Sequence, residues 1–138
     1  MQKLPPRGPG WLRHIRLPRV TSPKFEPRTF CVDPHLFGKY ESIEWRAVDI
    51  GDAARTDQLQ AARIQHKAAL AMLRKIRSNP EFRTVKRYAE AIGADPTRMG
   101  RLLRGSIVMR IEDLVSAERN LEMKVFRRVA QGAATPAT

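Results

Sequence analysis

Residues 84–105 constrain the fold more than any other stretch: Thr-Val-Lys-Arg-Tyr-Ala-Glu-Ala-Ile-Gly-Ala-Asp-Pro-Thr-Arg-Met-Gly-Arg-Leu-Leu-Arg-Gly. Val85, Tyr88, Ala89 and Ile92 recur at helical spacing and predict a first short helix over Val85–Ile92. Gly93 follows where a helix stops in a left-handed conformation, which a residue without Cβ adopts freely. Asp95 can accept hydrogen bonds from the unpaired amides of a new first turn. Pro96 fits the first helical position because its missing N–H would have had no partner there. Met99, Leu102 and Leu103 then share one face of a second helix, with Thr97, Arg98, Arg101 and Arg104 on the other, and Gly105 ends it. Two short helices joined by a tight turn are the expected result.

This stretch resembles the phage-repressor/Cro-type helix-turn-helix family, also called the xenobiotic-response-element type. The likeness rests on small Ala89, turn residue Gly93, apolar Met99 and the closing phrase Leu103-Arg104-Gly105, with a further helix at Ile111–Leu121. It extends over about residues 62–122. The resemblance implies a sequence-specific DNA-binding transcription regulator, repressor-like, with the second helix in the major groove and its N-terminal residues toward base edges. On that reading Thr97, Arg98 and Arg101 are the base contacts, the arginines donating two hydrogen bonds to guanine O6 and N7. Arg83, Lys86, Arg87 and Arg104 are the phosphate contacts, setting register without reading sequence. Gly100 departs from the pattern by offering no side chain; close approach to DNA and tight packing on the first helix both account for it.

Charge agrees with such a partner. The 138 residues carry a formal net charge of +12 and a sequence pI of about 11.0. A balance this basic favours a polyanion, because neutralising phosphates releases condensed counterions; double-stranded DNA comes first and an anionic membrane surface second. The longest apolar run, Ala68–Leu73, is far short of a membrane span of about 20 residues. A single cysteine, Cys31, rules out an internal disulfide and a CxxC site. The expectation is a cytoplasmic, nucleoid-associated protein with no membrane segment and no cofactor.

Seven of the ten prolines fall in residues 1–34. Residues 1–28 therefore read as a disordered basic arm, either tracking phosphates or merely solvated, with a small apolar island at Trp11, Leu12, Ile15 and Leu17. Residues 29–50 suggest a small β-hairpin or a pair of edge strands, since Thr29–Val32 and Ile43–Ile50 are β-branched and aromatic and the second alternates. Residues 51–131 form the helical DNA-binding domain, and 132–138 a flexible tail. The fold class expected is mainly α, a helix-turn-helix bundle of four to five helices.

Asp52–Ser78 predicts one long helix, with acids at its start and Arg74, Lys75 and Arg77 at its end, an order that suits the helix dipole. Leu59, Ala62, His66, Ala69, Leu73 and Ile76 make a narrow seam along it. Either its first half projects to meet a second copy or the whole seam packs within the monomer. Ile111, Leu114, Val115, Glu118 and Leu121 predict a core-facing stripe on a later helix, and Val125, Phe126 and Val129 lie on one side of a continuation. A homodimer is expected, with Leu59, Leu73, Val125, Phe126 and Val129 as candidate surfaces.

The catalytic inventory is poor: His14, His35 and His66 lie far apart, and no glycine loop could cradle phosphate. Asp33, His35, Glu41 and Glu44 are the one acidic and imidazole cluster, from which a metal nuclease can be imagined but a polar turn is the plainer reading. No catalytic and no metal residue is assigned, and the chain is read as not an enzyme. The competing function is an architectural or assembly DNA-binding protein of a phage or mobile element, oligomeric and weakly sequence-selective. A protein-only adaptor that meets an acidic partner through its arginines is the remaining option.

Overall fold

A computed structural model describes residues 24–124. Of the arm expected over residues 1–28, the part up to residue 23 lies outside the described residues, as do the continuation carrying Val125, Phe126 and Val129 and the 132–138 tail. The end of that arm is ordered, not disordered, because Pro27 is buried in a short helical turn and the Arg28 amide donates to the Gly105 carbonyl at 3.0 Å. Among those described the chain is mainly helical, with four α-helices and no β-strand: α1 (Ala53–Ser78), α2 (Val85–Ile92), α3 (Pro96–Arg104) and α4 (Ile111–Leu121). None of them is long and apolar enough to cross a membrane.

Helix α1 starts where Asp52 accepts from the Arg55 amide at 3.0 Å. Its buried residues are Ala62, Gln65, His66, Ala68, Ala69, Leu70, Met72 and Ile76, and they provide the floor on which the other elements lie. The first half of the seam is covered from within the chain: Phe30 is buried and the Arg55 guanidinium sits 5.0 Å above its ring. Leu59 is half-buried, and Leu73 packs on the edge of the core. Helices α2 and α3 close the core with Tyr88, Ala89, Met99, Leu102 and Leu103, the residues whose spacing pointed inward.

Residues 29–50 do not form the expected hairpin. A short helical turn at Pro27–Phe30 and another at Pro34–Leu36 occupy the segment. Strand pairing shrinks to one antiparallel bridge between Cys31 and Trp45. Around it the Val32 amide donates to the Glu44 carbonyl at 3.0 Å and the Arg46 amide to the Phe30 carbonyl at 2.8 Å. Pro27 and Pro34 set φ and remove ladder donors, which starts turns instead of a strand. The alternation of Ile43–Ile50 meets the core only at its start: Ile43 and Trp45 are half-buried against it, whereas Ala47 and Ile50 are exposed. What the segment does is cover the bundle: Phe37 is buried, edge-on to both Trp45 and His66.

The stripe on α4 is also rotated from the one expected. Ile111 and Val115 are exposed, whereas Ala117 and Leu121 are buried and Leu114 is half-buried. Two neighbouring stripes on this helix both satisfy the three-and-four spacing, and periodicity does not weigh alanine heavily enough to choose between them.

Two close approaches lock the covering segment onto the end of α3. A Cβ on Gly105 would lie 2.7–2.9 Å from the Phe37 ring, and the Gly105 carbonyl accepts from the Arg28 amide at 3.0 Å. A Cβ on Gly38 would lie 2.6 Å from the Leu103 carbonyl oxygen. Gly38 donates its amide to His66 Nδ1 at 2.9 Å, so the imidazole is neutral with its proton on Nε2. Burial pushes the His66 pKa below 6.5, outweighing nearby carbonyls that raise it.

Gly93 and Gly105 have nearly the same left-handed φ, 74° and 77°, but nothing lies within 4 Å of a Cβ on Gly93. Gly93→Ala is expected to cost about 1 kcal/mol from backbone conformation alone, and Gly105→Ala about 1–3 kcal/mol more through the clash with Phe37; urea unfolding of the two variants measures the difference. His66 binds its proton less readily folded than unfolded, so stability is full above about pH 6.5 and falls as pH drops below it. His66→Asn, which retains an acceptor for Gly38, should flatten the change in urea midpoint between about pH 7.5 and 5, a range set by histidine's ordinary pKa.

Candidate functional site

The exposed cations expected to meet DNA lie on α2, just before it, and on α3. Thr84 caps α2 by accepting from the Arg87 amide at 3.2 Å. Helix α2 ends as its glycine dictates: the Gly93 amide donates to Glu90 O at 3.2 Å and the Ala94 amide to Ala89 O at 2.8 Å. Both oxygens of Asp95 then serve the first turn of α3, accepting from Thr97 N at 3.2 Å and Arg98 N at 3.3 Å. At the far end the Ser106 amide donates to Arg101 O at 3.0 Å, the same glycine stop repeated. Short helices need such terminal partners, because half or more of their backbone groups have none inside the helix.

Two buried polar contacts hold α3 in place. Gln65, on the inward face of α1, donates through Nε2 to Leu102 O and to Ile107 O, each at 2.8 Å. Its Oε1 accepts from the Met109 amide at 2.8 Å. One side chain thus satisfies the C-terminal end of α3 and the connector into α4. Gln65 escaped the sequence reading, although a glutamine between Ala62 and Ala69 on a buried seam is a visible break in apolar pattern.

The second contact joins α3 to α4. Arg98 donates to both oxygens of Asp113, Nη1 to Oδ1 at 2.8 Å and Nη2 to Oδ2 at 2.7 Å. Asp113 Oδ2 also accepts from the Arg110 amide at 2.8 Å, which caps the start of α4. Side-chain exposure is 29% for Arg98 and 11% for Asp113, so this pair is largely screened from water. Burial alone would raise the Asp113 pKa, but the hydrogen bonds from Arg98 and the Arg110 amide prevail and hold it below the usual carboxylate value. Asp113 was not singled out in the sequence, because no local pattern links it to a partner on a different helix.

The expected site residues therefore divide into two groups. Thr97, Arg101 and Arg104 are exposed on α3, Lys86 and Arg87 on α2, and Arg83 just before it. Among the described residues the ion pairs are Arg28–Glu26, Arg74–Glu41 and Arg98–Asp113, so none of those five exposed cations has an acidic partner. Arg98 alone is fastened down. Its guanidinium faces α4, and it reaches anything else only by leaving Asp113.

Arg83 takes a left-handed φ of 61°, with its amide donating to Ile76 O and Asn79 O. A non-glycine residue there costs about 1 kcal/mol. Gly100 has no close packing against α2: the nearest atom to a Cβ would be Arg104 Nη1, at 3.0 Å, the far end of a flexible side chain. Of the two explanations for this glycine, tight helix packing is thereby removed.

The other candidates resolve into structural roles. Asp33 Oδ1 accepts from the His35 amide at 3.1 Å and Glu41 pairs with Arg74 at 3.7 Å. No group of three or more His, Cys, Asp or Glu side chains among the described residues could hold a metal ion. Cys31 is buried, and burial together with the nearby Asp33 charge pushes its thiol up to about 11, which leaves it protonated and unreactive at neutral pH. No family model, curated protein or solved structure matches the chain.

Asp113→Asn should weaken the clasp to Arg98 and cost about 1–2 kcal/mol, since hydrogen bonds to charged groups contribute about 1.5–3 kcal/mol and one amide bond survives. The native carboxyl has a lowered pKa, so its contribution is complete above about pH 3.8 and is lost as pH falls below that. Urea midpoints of the two proteins should differ at pH 6 and draw together as pH falls below about 3.8, the ordinary carboxylate value.

Proposed function

We propose that α2 and α3 are a DNA-reading helix-turn-helix and that the protein is a sequence-specific, repressor-like transcription regulator. The observation that carries this reading is an α3 whose apolar face is buried while Thr97, Arg101 and Arg104 stand exposed and unpaired beside Lys86 and Arg87. Cations left without acidic partners are available to phosphates and base edges.

Base reading then falls to Thr97 and Arg101. Arg101 has the planar fork that guanine O6 and N7 accept, and Thr97 offers a hydroxyl to a base or phosphate and a methyl to thymine. Arg98 is a positioning residue on this reading: held by Asp113, it sets the angle at which α3 leaves the domain. Arg83, Lys86, Arg87 and Arg104 bind phosphates. The strain at Arg83 is consistent with a charge retained for binding where glycine would suit the backbone better. Gly100 allows the DNA backbone to approach α3 where any side chain would intervene. Dimerisation on a two-fold-related site belongs to the same proposal.

Selection from a random duplex library by the full-length protein tests it. An enriched inverted repeat, with half-sites about 10 bp apart, is expected. DNA retained without enrichment would instead indicate the architectural reading, and no retention at near-physiological salt would overturn DNA binding. Arg101→Ala should relax specificity at one base pair per half-site, at a cost of about 1–3 kcal/mol. Lys86→Ala should weaken all sequences evenly and reduce the salt slope by about one. Arg83→Gly and Gly100→Ala should each stabilise the fold by up to about 1 kcal/mol yet weaken DNA binding, which separates the site from the scaffold.

A further inference from the structure

The side of α1 turned away from α2 and α3 borders a groove of about 780 Å³ that the DNA-reading proposal does not use. Its α1 wall runs from Ile64 to Ser78, a rise of about 21 Å at 1.5 Å per residue, and residues 122–124, just beyond α4, make the facing wall. The floor is apolar. Ile64 is 59% exposed and Ala71 half-buried, and the space ends on Ala68 and Met123, both buried at its base.

The rim limits what can dock there. Lys67, Arg74, Lys75 and Lys124 surround the floor, and Glu122 is the one acid on the lining. Glu41 reaches Arg74, but at 3.7 Å between two exposed side chains, an arrangement too weakly coupled to withhold that cation. The chain's own remaining segments do not complement this rim. Residues 125–138 include Arg127 and Arg128 and no acid, and residues 1–23 carry four arginines, a lysine and no acid. A second copy would bring another net charge of +12 toward the same cations. A duplex would complement the charge but leave the apolar floor unfilled.

We propose that this groove receives an acidic amphipathic helix of a partner protein. Its apolar residues, recurring at three-and-four spacing, would sit over Ile64, Ala68, Ala71 and Met123. Carboxylates along its edges would meet Lys67, Arg74, Lys75 and Lys124. This is the helix-in-groove mode of recognition, in which the floor supplies affinity and the charged rim selects the partner and speeds encounter. The groove and the α3 cations draw on different faces of the molecule, so the proposal stands whether or not α3 reads DNA.

The probe is a designed, fluorescein-labelled peptide of about four helical turns, the length of the groove, with leucines at three-and-four spacing and glutamates elsewhere. A control peptide has the same leucines with lysines replacing the glutamates. Fluorescence anisotropy with the full-length protein should show the acidic peptide binding and the basic one failing. Amide shifts on titration should fall on residues 64–78 and 122–124 rather than on α3. Lys67→Glu/Lys75→Glu, at two solvated positions that leave the core untouched, should weaken the acidic peptide by about tenfold or more, and raised salt should weaken it in the parent protein.

Equal binding of both peptides, shifts located elsewhere, or a charge reversal that changes affinity less than twofold would each overturn the proposal. So would binding of neither peptide, and sedimentation at rising concentration would then show whether a second copy occupies the groove. A charge reversal that weakens duplex binding and spares the peptide would assign the rim to nucleic acid and likewise overturn it.

Discussion

The structure depends most on the side-chain amide of Gln65. It is buried, and its two donors and one acceptor are spent on Leu102 O, Ile107 O and the Met109 amide. A helix C-terminus buried without partners would be costly, because its last carbonyls have no amides within the helix. Gln65 solves that for α3 and in the same act places the connector from which α4 begins. An apolar residue of similar size would fill the space but leave the Ile107 carbonyl and the Met109 amide unsatisfied, with the Leu102 carbonyl keeping only the Gly105 amide at 3.3 Å.

The remaining contacts build on that placement. Once α4 starts where Met109 and Arg110 direct it, Asp113 comes within reach of Arg98, and α3 is held at both ends: by Gln65 at its C-terminus and by the clasp near its N-terminus. The covering segment adds a third hold through Phe37 on Gly105 and Gly38 on Leu103. A nine-residue helix with so many external attachments is a rigid support for whatever it presents. That rigidity gives the exposed Thr97, Arg101 and Arg104 a defined spacing, which sequence reading by a helix requires and mere charge neutralisation does not.

Charge is distributed with a similar division of labour. Arg98 is consumed internally, Arg74 is loosely paired, and the other cations of α2 and α3 have no acidic partner among the described residues. On the outer face of α1 a second set of cations surrounds an apolar floor. A high net charge in a small domain weakens the folded state by self-repulsion. The core of Met72, Ile76, Tyr88, Leu102 and Leu121, together with the buried polar contacts, offsets it.

The sequence by itself determined the four helices and the stops between them, because caps, glycine positions and apolar spacing act within a few residues of chain. Asp52, Thr84, Asp95, Gly93 and Gly105 perform locally, and Tyr88, Met99 and Leu102 face inward as their spacing requires. The tertiary structure alone decided what residues 24–50 become, since a strand exists only if a partner strand and a buried face are present, and here Phe30 and Phe37 found α1 instead. It alone decided that Ile111 and Val115 face outward, because α4 is oriented by contacts from α1 and α3. It alone decided that Arg98 is fastened, since Asp113 is a neighbour in space and not along the chain. Local signals report on groups joined by backbone; the fate of a side chain whose partner comes from another helix is settled only by packing.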